Sequence, residues 1–148
     1  MERVYLLLGT NQGDKERNLK TAIALLITEL APFLGSDVKE SSIHESEPVG
    51  FESNENFLNQ AISFKTSVSP TDLLKVCKYV EKKMGRDIDQ PLFDRDGNRI
   101  YRDRIIDIDI LLFGNRSVDL PELKIPHPRL QEREFALIPL REIYSEQN

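Results

Sequence analysis

The sequence predicts an α+β fold in which an antiparallel sheet carries two helices on one face. Apolar stretches typical of strands alternate with two stretches of helical periodicity, in the order β-α-β-β-α-β. A capping residue precedes each of these helices, and a glycine follows each of them. The chain has 148 residues, which is enough for one domain with its own core. We therefore expect a single domain over residues 1–148.

The first strand is predicted at residues 4–8, a short apolar run that ends at Gly9. Residues 9–14 are interpreted as a structural turn, because the second glycine is not followed by the Lys-Ser or Lys-Thr of a phosphate-binding loop. Helix one should begin near Asp14, a good N-cap residue, and end by Gly35. Its predicted core face is formed by Leu19, Ala22, Ile23, Leu26 and Leu30.

A second strand is weakly indicated within residues 38–44, and the polar stretch 45–56 is predicted to be a loop. Residues 57–66 predict a third strand with Phe57 and Asn59 on the same face. Helix two opens with Ser69 as its cap and Pro70 in its first turn, and Gly85 ends it.

The charged segment 86–103 is predicted to be a long loop, and loops of this length are usually functional or mobile. A fourth strand follows at 105–113, then a short hairpin within 115–125. A last helix over 135–143 is interrupted by Pro139. The order is that of a ferredoxin-like βαββαβ sheet, extended by a C-terminal hairpin and helix.

Two aspartates on the fourth strand are the first candidate functional residues. Strand side chains alternate between faces, so Asp107 and Asp109 share one face, roughly 7 Å apart along the backbone. Like charges this close repel each other, and a bound cation would relieve the repulsion. Oxygen ligands from few protein groups suit Mg²⁺, which shares its shell with phosphates and water. The alternative is that both carboxylates simply face solvent, as charges on edge strands often do.

Composition narrows the class of function. The net charge of -5 argues against general nucleic-acid binding, which needs a basic face. Cys77 is the only cysteine, which excludes an intrachain disulfide. No apolar run reaches membrane-spanning length, and the first residues lack a signal-peptide pattern. We therefore expect a cytoplasmic enzyme or binding domain with no membrane partner.

Short motifs that occur in order along nearly the whole chain resemble one enzyme family. The most specific is Arg104-x-x-Asp107-x-Asp109 with Pro126-His127 downstream. The others are Leu8-Gly9-Thr10-Asn11, Glu47-Pro48-Val49-Gly50, Phe57-Leu58-Asn59-Gln60-Ala61, Gly85-Arg86, and Arg133-Glu134-Phe135 with Pro139-Leu140. Together they resemble the 6-hydroxymethyl-7,8-dihydropterin pyrophosphokinase family. The resemblance implies Mg²⁺-dependent transfer of pyrophosphate from ATP to the pterin hydroxymethyl group, with release of AMP.

By this resemblance the acidic strand holds the metal and arginines hold the triphosphate. Asp107 and Asp109 would bind two Mg²⁺ ions, and Arg86 and Arg104 would contact the triphosphate. Guanidinium groups suit this task because they are always charged and match phosphate oxygens. The alternative for Arg86 is a solvated side chain after a helix end. We expect a monomer whose partners are the small molecules pterin and ATP.

The resemblance also nominates the pterin pocket. Asn59 would pair with the amide-like edge of the ring, which an asparagine can meet with both its carbonyl and its amine. Phe57 and Phe135 would sandwich the ring, and backbone from Ser46 to Val49 would complete the pocket. Without the family, Phe135 is as well explained as a helix core residue.

Four further residues are placed on the nucleotide side by the same resemblance. His127 and Arg133 would lie at the ATP phosphates, Ile110 would line the adenine, and Glu81 would lie on the nucleotide side of helix two. A structural hydrogen-bonding role is the alternative for His127. His44 has no such context and is interpreted as a loop or strand-end residue.

The sequence departs from the family in the charged segment. Family members commonly carry a second arginine soon after the helix-end Gly-Arg and a Trp-Gly-Pro before the strand arginine. Here Arg99 or Arg102 is a candidate for the missing charge, and Tyr101 for the tryptophan. Two other readings of the acidic pair remain open: a palm-type nucleotidyltransferase or cyclase, and a ligand-binding regulatory module, which this fold also hosts.

Overall fold

The computed structural model describes residues 1–47, 55–85 and 105–145, together with the backbone of 92–93 and 99–100. Three helices are described: α1 Lys15–Leu30, α2 Pro70–Lys83 and α3 Glu134–Ile143. The strands are β1 Glu2–Thr10, β2 Lys39–Glu40, β3 His44–Ser46, β4 Phe57–Thr66, β5 Leu92–Phe93, β6 Arg99–Ile100, β7 Asp107–Phe113, β8 Val118–Leu120 and β9 Leu123–Ile125.

The main sheet has the strand order β2-β4-β1-β7, and β3 also pairs with β4. The pairings β1–β4, β1–β7, β2–β4 and β3–β4 are all antiparallel. This is the order of a ferredoxin-like sheet, in which the second predicted strand is supplied by the two short strands β2 and β3. The predicted fold class is therefore confirmed.

The core lies on both faces of the sheet because β1 is a central strand that alternates between them. Val4, Leu6 and Leu8 join the larger cluster, which also contains the buried side chains of α1 and α2. Tyr5 and Leu7 point the other way and join a smaller cluster with α3. The second face of the sheet is therefore packed against α3 rather than against the two long helices.

Both long helices begin where their capping residues predict. The Asp14 carboxylate accepts a hydrogen bond from the Arg17 N–H at 3.2 Å, and the Ser69 hydroxyl accepts one from the Asp72 N–H at 3.2 Å. The predicted core face of α1 is buried in full, and Gly85 follows α2 with φ of 95°.

Several predicted boundaries were wrong. Strand β1 continues through Gly9 and Thr10, which were assigned to a turn. Strand β3 includes Ser46, and β7 begins at Asp107 rather than at residue 105. The predicted loop 86–103 contains the paired strands β5 and β6. In each case pairing with a neighbouring strand decides the boundary, and local sequence carries little of that information.

Helix α3 runs through Pro139 without ending. A proline there removes the hydrogen bond that residue 139 would donate to the carbonyl of Phe135. Burial of Ala136, Leu137 and Leu140 against the sheet offsets this loss. Within the described part of the chain, no helix is long and apolar enough to cross a membrane.

Candidate active site

Asp107 and Asp109 lie on the α3 face of β7, as strand alternation predicts. Ile108 and Ile110 are 5% and 4% exposed in the core on the opposite face, whereas both aspartates are half-buried. In the antiparallel register Asp107 lies opposite Gly9, and Asp109 lies opposite Leu7. The two carboxylates therefore project from one strand toward the same side of the sheet.

A continuous row of residues crosses the sheet from the first aspartate. Asp107 pairs with Gly9, Gly9 pairs with Asn59, and Asn59 pairs with His44. Directly opposed residues point to the same face, so Asp107 and Asn59 stand on one surface about 10 Å apart, at two strand spacings. Because Gly9 has no side chain, β1 contributes only backbone to the sheet between these two residues.

Two side chains of β4 pack closely over the glycine in this row. A Cβ atom at Gly9 would lie 3.2 Å from Asn59 Oδ1 and 3.6 Å from Phe57 Cδ1. The Asn59 carbonyl therefore lies over Gly9, beside the Phe57 ring. This geometry places an amide acceptor and an aromatic side chain at one end of the row, and Asp107, with Asp109 two residues along the same strand, at the other.

The Asn59 amine is already engaged by β3. Its Nδ2 donates to Ser46 Oγ at 2.7 Å and to the His44 carbonyl at 3.4 Å, and the residue is 3% exposed. Ser46 itself lies opposite Phe57. We expected both amide groups of Asn59 to meet a ligand, but the amine is used to fix the side chain, so the carbonyl is the group presented over Gly9.

His127, Arg133 and Asp107 are electrostatic neighbours. The His127 backbone N–H donates to the Leu111 carbonyl at 3.0 Å, which ties the segment before α3 to β7. Burial lowers the pKa of His127, the charge of Arg133 lowers it further, and Asp107 acts in the opposite direction. At neutral pH the imidazole is therefore neutral, and it is influenced by both a cationic and an anionic side chain.

Helix α3 brings the second phenylalanine to this face. Phe135 lies in its first turn and packs against the cluster that contains Tyr5, Leu7 and Ala61. The Arg133 guanidinium lies 5.6 Å from the centroid of the Phe135 ring, within cation–π distance. Phe135 thus packs partly in the core, which was the alternative explanation for it, and its ring also contacts the Arg133 guanidinium.

The described residues contain no group of three or more His, Cys, Asp or Glu side chains that could hold a metal ion. The donors at the β7 end of the row are the carboxylates of Asp107 and Asp109. Such a set suits a hard divalent cation that completes its shell with phosphate oxygens and water, and it does not suit zinc or another metal that needs several protein ligands. The residues present therefore fit Mg²⁺ delivered with a triphosphate.

Comparison with known proteins identifies the family. The profile of the 7,8-dihydro-6-hydroxymethylpterin-pyrophosphokinase (HPPK) family matches residues 5–145. The chain belongs to this family.

Named relatives agree with this assignment. A 2-amino-4-hydroxy-6-hydroxymethyldihydropteridine pyrophosphokinase of Bacillus subtilis is 40% identical over 139 residues, which is 94% of this chain and 76% of the relative. An enzyme of the same name from Aquifex aeolicus is 41% identical, over 97% of this chain and 81% of the relative. The Plasmodium falciparum HPPK-DHPS crystal structure with pteroate has a TM-score of 0.67 at 18% identity. The similarity covers 95% of this chain and 38% of that one, and it shows the shared fold.

Two residues predicted for the HPPK nucleotide side are buried beneath the site face. Ile110 is 4% exposed in the core with α1 and α2, so only its backbone is available to an adenine. Glu81 is 1% exposed, and its Oε2 accepts a hydrogen bond from the Ile108 N–H at 2.8 Å. Glu81 thus anchors the residue between the two aspartates, and its predicted nucleotide contact remains a prediction.

This anchoring role of Glu81 gives a testable expectation. Glu81→Ala should lower the free energy of unfolding by about 1–3 kcal/mol, because the Ile108 N–H loses its buried acceptor. Glu81→Gln keeps a carbonyl oxygen there and should lose less. Urea unfolding of both variants measures the difference, and equal stability of wild type and Glu81→Ala would contradict the anchoring role.

Other predicted HPPK site residues lie outside the described part of the chain. They are Arg86, Arg104 and Val49, along with Tyr101 and Arg102, and only the backbone of Arg99 is described. Their roles at the triphosphate and the pterin remain predictions.

Two neighbours of Asn59 were not recognised as such from the sequence. Gly9 was assigned to a turn, but it lies within β1 and pairs with Asn59. His44 was interpreted as a loop or strand-end residue and is the first residue of β3, but its position opposite Asn59 was not predicted. For Gly9 a signal was present, since a glycine that interrupts an apolar strand often marks a close approach by a ligand or another group. His44 carried no comparable signal.

Gly9→Ala should weaken pterin binding without weakening ATP binding. The added methyl group would push against Asn59 Oδ1 at 3.2 Å, whereas alanine suits a strand at least as well as glycine does. We expect a fall in pterin affinity of about 3- to 10-fold, typical of a small steric displacement in a packed site. Calorimetric titration with each ligand tests this, and an equal loss for both ligands would contradict it.

Proposed function

We propose that this protein transfers the pyrophosphoryl group of ATP to the hydroxymethyl group of 6-hydroxymethyl-7,8-dihydropterin and releases AMP. The family assignment makes it a pterin pyrophosphokinase of folate biosynthesis, and its relatives are named for the same activity. The observation that carries the proposal is the row Asp107–Gly9–Asn59, which has carboxylates at one end and an amide acceptor at the other.

Asp107 and Asp109 would hold two Mg²⁺ ions. When bound, these ions neutralise the triphosphate and polarise the β-phosphoryl group. The two carboxylates contribute by fixing the position of the triphosphate beside β7, because both project from one rigid strand. Positioning of this kind is the main requirement of phosphoryl transfer.

Cationic and neutral donors beside the aspartates would complete the triphosphate site. The Arg133 guanidinium offers several N–H donors in a planar arrangement that matches phosphate oxygens. A neutral His127 imidazole can donate one hydrogen bond to the same anion without adding charge. Arg86 and Arg104 are proposed for the same anion on the family resemblance alone.

The pterin would lie against Asn59 and Phe57, on the face of the sheet that also carries the two aspartates. Asn59 Oδ1 can accept from a ring N–H or the amino group, with Ser46 holding the amide in place. Phe57 and Phe135 offer aromatic faces from β4 and α3, and backbone between Ser46 and Val49 would close the pocket. A flat ring seated there would direct its hydroxymethyl group toward the aspartates, where the acceptor hydroxyl is required.

We further propose that the enzyme works as a single-domain monomer in the cytoplasm. Gel filtration of the purified protein and fractionation of its source cell would test these two statements.

The product formed from ATP separates this function from its alternatives. Incubation with ATP, Mg²⁺ and hydroxymethyl-dihydropterin should release AMP in an amount equal to the pterin consumed. A palm-type nucleotidyltransferase or cyclase would release pyrophosphate. A regulatory module would release neither product and would bind its ligand without Mg²⁺. Release of pyrophosphate, or of nothing, would contradict the proposal.

A further inference from the structure

The last turn of α3 is tied to the chain just before and within β3. Both contacts are made by Glu142, which accepts hydrogen bonds from the Ser42 backbone N–H at 2.8 Å and from Ser42 Oγ at 2.8 and 2.9 Å. The His44 Nε2 contacts the same carboxylate. Ser42 Oγ also lies 3.1 Å from His44 Nε2, so the three side chains form one connected group.

Strand β3 is short and depends on few contacts. It has three residues, and its strand partner in the described sheet is β4. Two of its residues support the Asn59 end of the row: His44 lies opposite Asn59 and its backbone carbonyl accepts a hydrogen bond from the Asn59 amine, and Ser46 Oγ accepts another. Any shift of β3 would therefore move the Asn59 carbonyl.

Helix α3 supplies the facing wall. Phe135 precedes Glu142 by seven residues, which is about two helical turns, so both side chains lie on the same side of the helix. The helix thus carries an aromatic wall at one end and the contact to β3 at the other. The distance between Phe135 and the Asn59–Phe57 wall depends on how α3 seats against β3.

We propose that Ser42, His44 and Glu142 form a positioning clamp that sets the width of the acceptor pocket between α3 and β3–β4. None of the three is placed in contact with substrate. The inference rests on the proposed function, since it assigns the clamp to the pterin end of that site.

The charge of Glu142 supports this geometry. The Ser42 backbone N–H, then the His44 and Ser42 side chains, lower its pKa to about 2. The carboxylate is therefore ionised at neutral pH and able to accept several hydrogen bonds at once. Glu142 is exposed, and exposed ion pairs add little to global stability, so the effect of the clamp should appear in affinity rather than in unfolding.

Binding measurements on clamp variants test the proposal. Glu142→Gln and His44→Ala should each raise the Kd for hydroxymethyl-dihydropterin about tenfold, the result expected if the free protein then holds the pocket at its binding-competent width about a tenth of the time. The Kd for ATP with Mg²⁺, the kcat at saturating substrates and the Tm should stay close to wild type. The double variant should have about the same pterin affinity as whichever single variant binds pterin less tightly, because the two residues act through one contact.

Two matched variants sharpen the test. His44→Gln keeps an N–H donor and should restore most of the pterin affinity lost in His44→Ala. Asp119→Asn weakens the exposed pair with Lys124 on the β8–β9 hairpin. That pair also joins a carboxylate to a nitrogen donor at the surface, and its loss should leave both affinities unchanged.

Three results would overturn the inference. The first is an unchanged pterin Kd in both single variants. The second is a double variant whose loss of pterin-binding free energy equals the sum of the two single losses. The third is an equal loss of affinity for pterin and for ATP, together with a lowered Tm. A wild-type protein that binds no pterin would overturn the proposed function and this inference with it. If the wild type and the variants all bind pterin equally well, the clamp proposal would be overturned and the proposed function would stand.

Discussion

Replacement of Asp107 or Asp109 by asparagine is expected to lower turnover by about 10³-fold or more. Asparagine keeps the size of the side chain but removes the anionic ligand, and metal stabilisation of a phosphoryl-transfer transition state contributes several kcal/mol. The fold should remain intact, because both residues are half-buried on the site face and the core on the other face is built from Ile106, Ile108 and Ile110. Alanine at either position should have the same effect on turnover.

Single-turnover kinetics at saturating Mg²⁺ and ATP measure this loss, with circular dichroism and thermal unfolding as checks on the fold. Asp119→Asn is a suitable control, because Asp119 lies on the exposed hairpin and pairs with Lys124. Chelation of divalent cations from the wild type should abolish activity, and added Mg²⁺ should restore it. Near-normal turnover in both aspartate variants would refute the metal assignment.

The second large effect is expected at Asn59. Asn59→Ala removes the carbonyl over Gly9 and leaves the pterin edge without its partner, which should lower pterin affinity by about 10- to 100-fold. ATP affinity should change little, because the triphosphate residues lie about two strand spacings away.

Titration calorimetry with each ligand separately tests the Asn59 expectation. Asn59→Asp is an informative companion, since the carboxylate keeps the shape of the side chain but cannot donate to Ser46 Oγ. It should bind pterin less well than wild type. Unchanged pterin affinity in Asn59→Ala would mean that the pocket lies elsewhere.

Features that local sequence determines were predicted well. Strand β4 runs from Phe57 to Thr66 as expected, since its apolar alternation is long and its ends carry clear turn signals. Helix α2 starts after Ser69 because a cap and a first-turn proline coincide there. The shared face of Asp107 and Asp109 follows from the two-residue period of any strand.

Features that depend on partners distant in sequence could not be predicted in this way. The row through Gly9, Asn59 and His44 exists only because three strands align in one register, and register depends on the whole sheet. The two-residue and three-residue strands β2 and β3 are stabilised by β4 rather than by their own propensity. The contact between His44 and Glu142 could not be predicted for this reason, since the two residues lie 98 positions apart.

Helix α3 also depends on contacts that its local sequence does not reveal. The sequence predicts a helix over 135–143 in spite of Pro139, although proline costs about 3 kcal/mol inside a helix. The helix continues because its apolar side is buried against Tyr5 and Leu7 on the sheet. Tertiary burial therefore outweighs a strong local signal at the element that carries Phe135.

The most direct test of the account follows the two terminal phosphates of ATP. ATP labelled in its β- and γ-phosphates is incubated with the protein, Mg²⁺ and hydroxymethyl-dihydropterin, and the products are analysed by mass spectrometry. The account predicts a pterin diphosphate that carries both labelled phosphates, together with unlabelled AMP. A pterin monophosphate with ADP, or labelled pyrophosphate with no modified pterin, would contradict it.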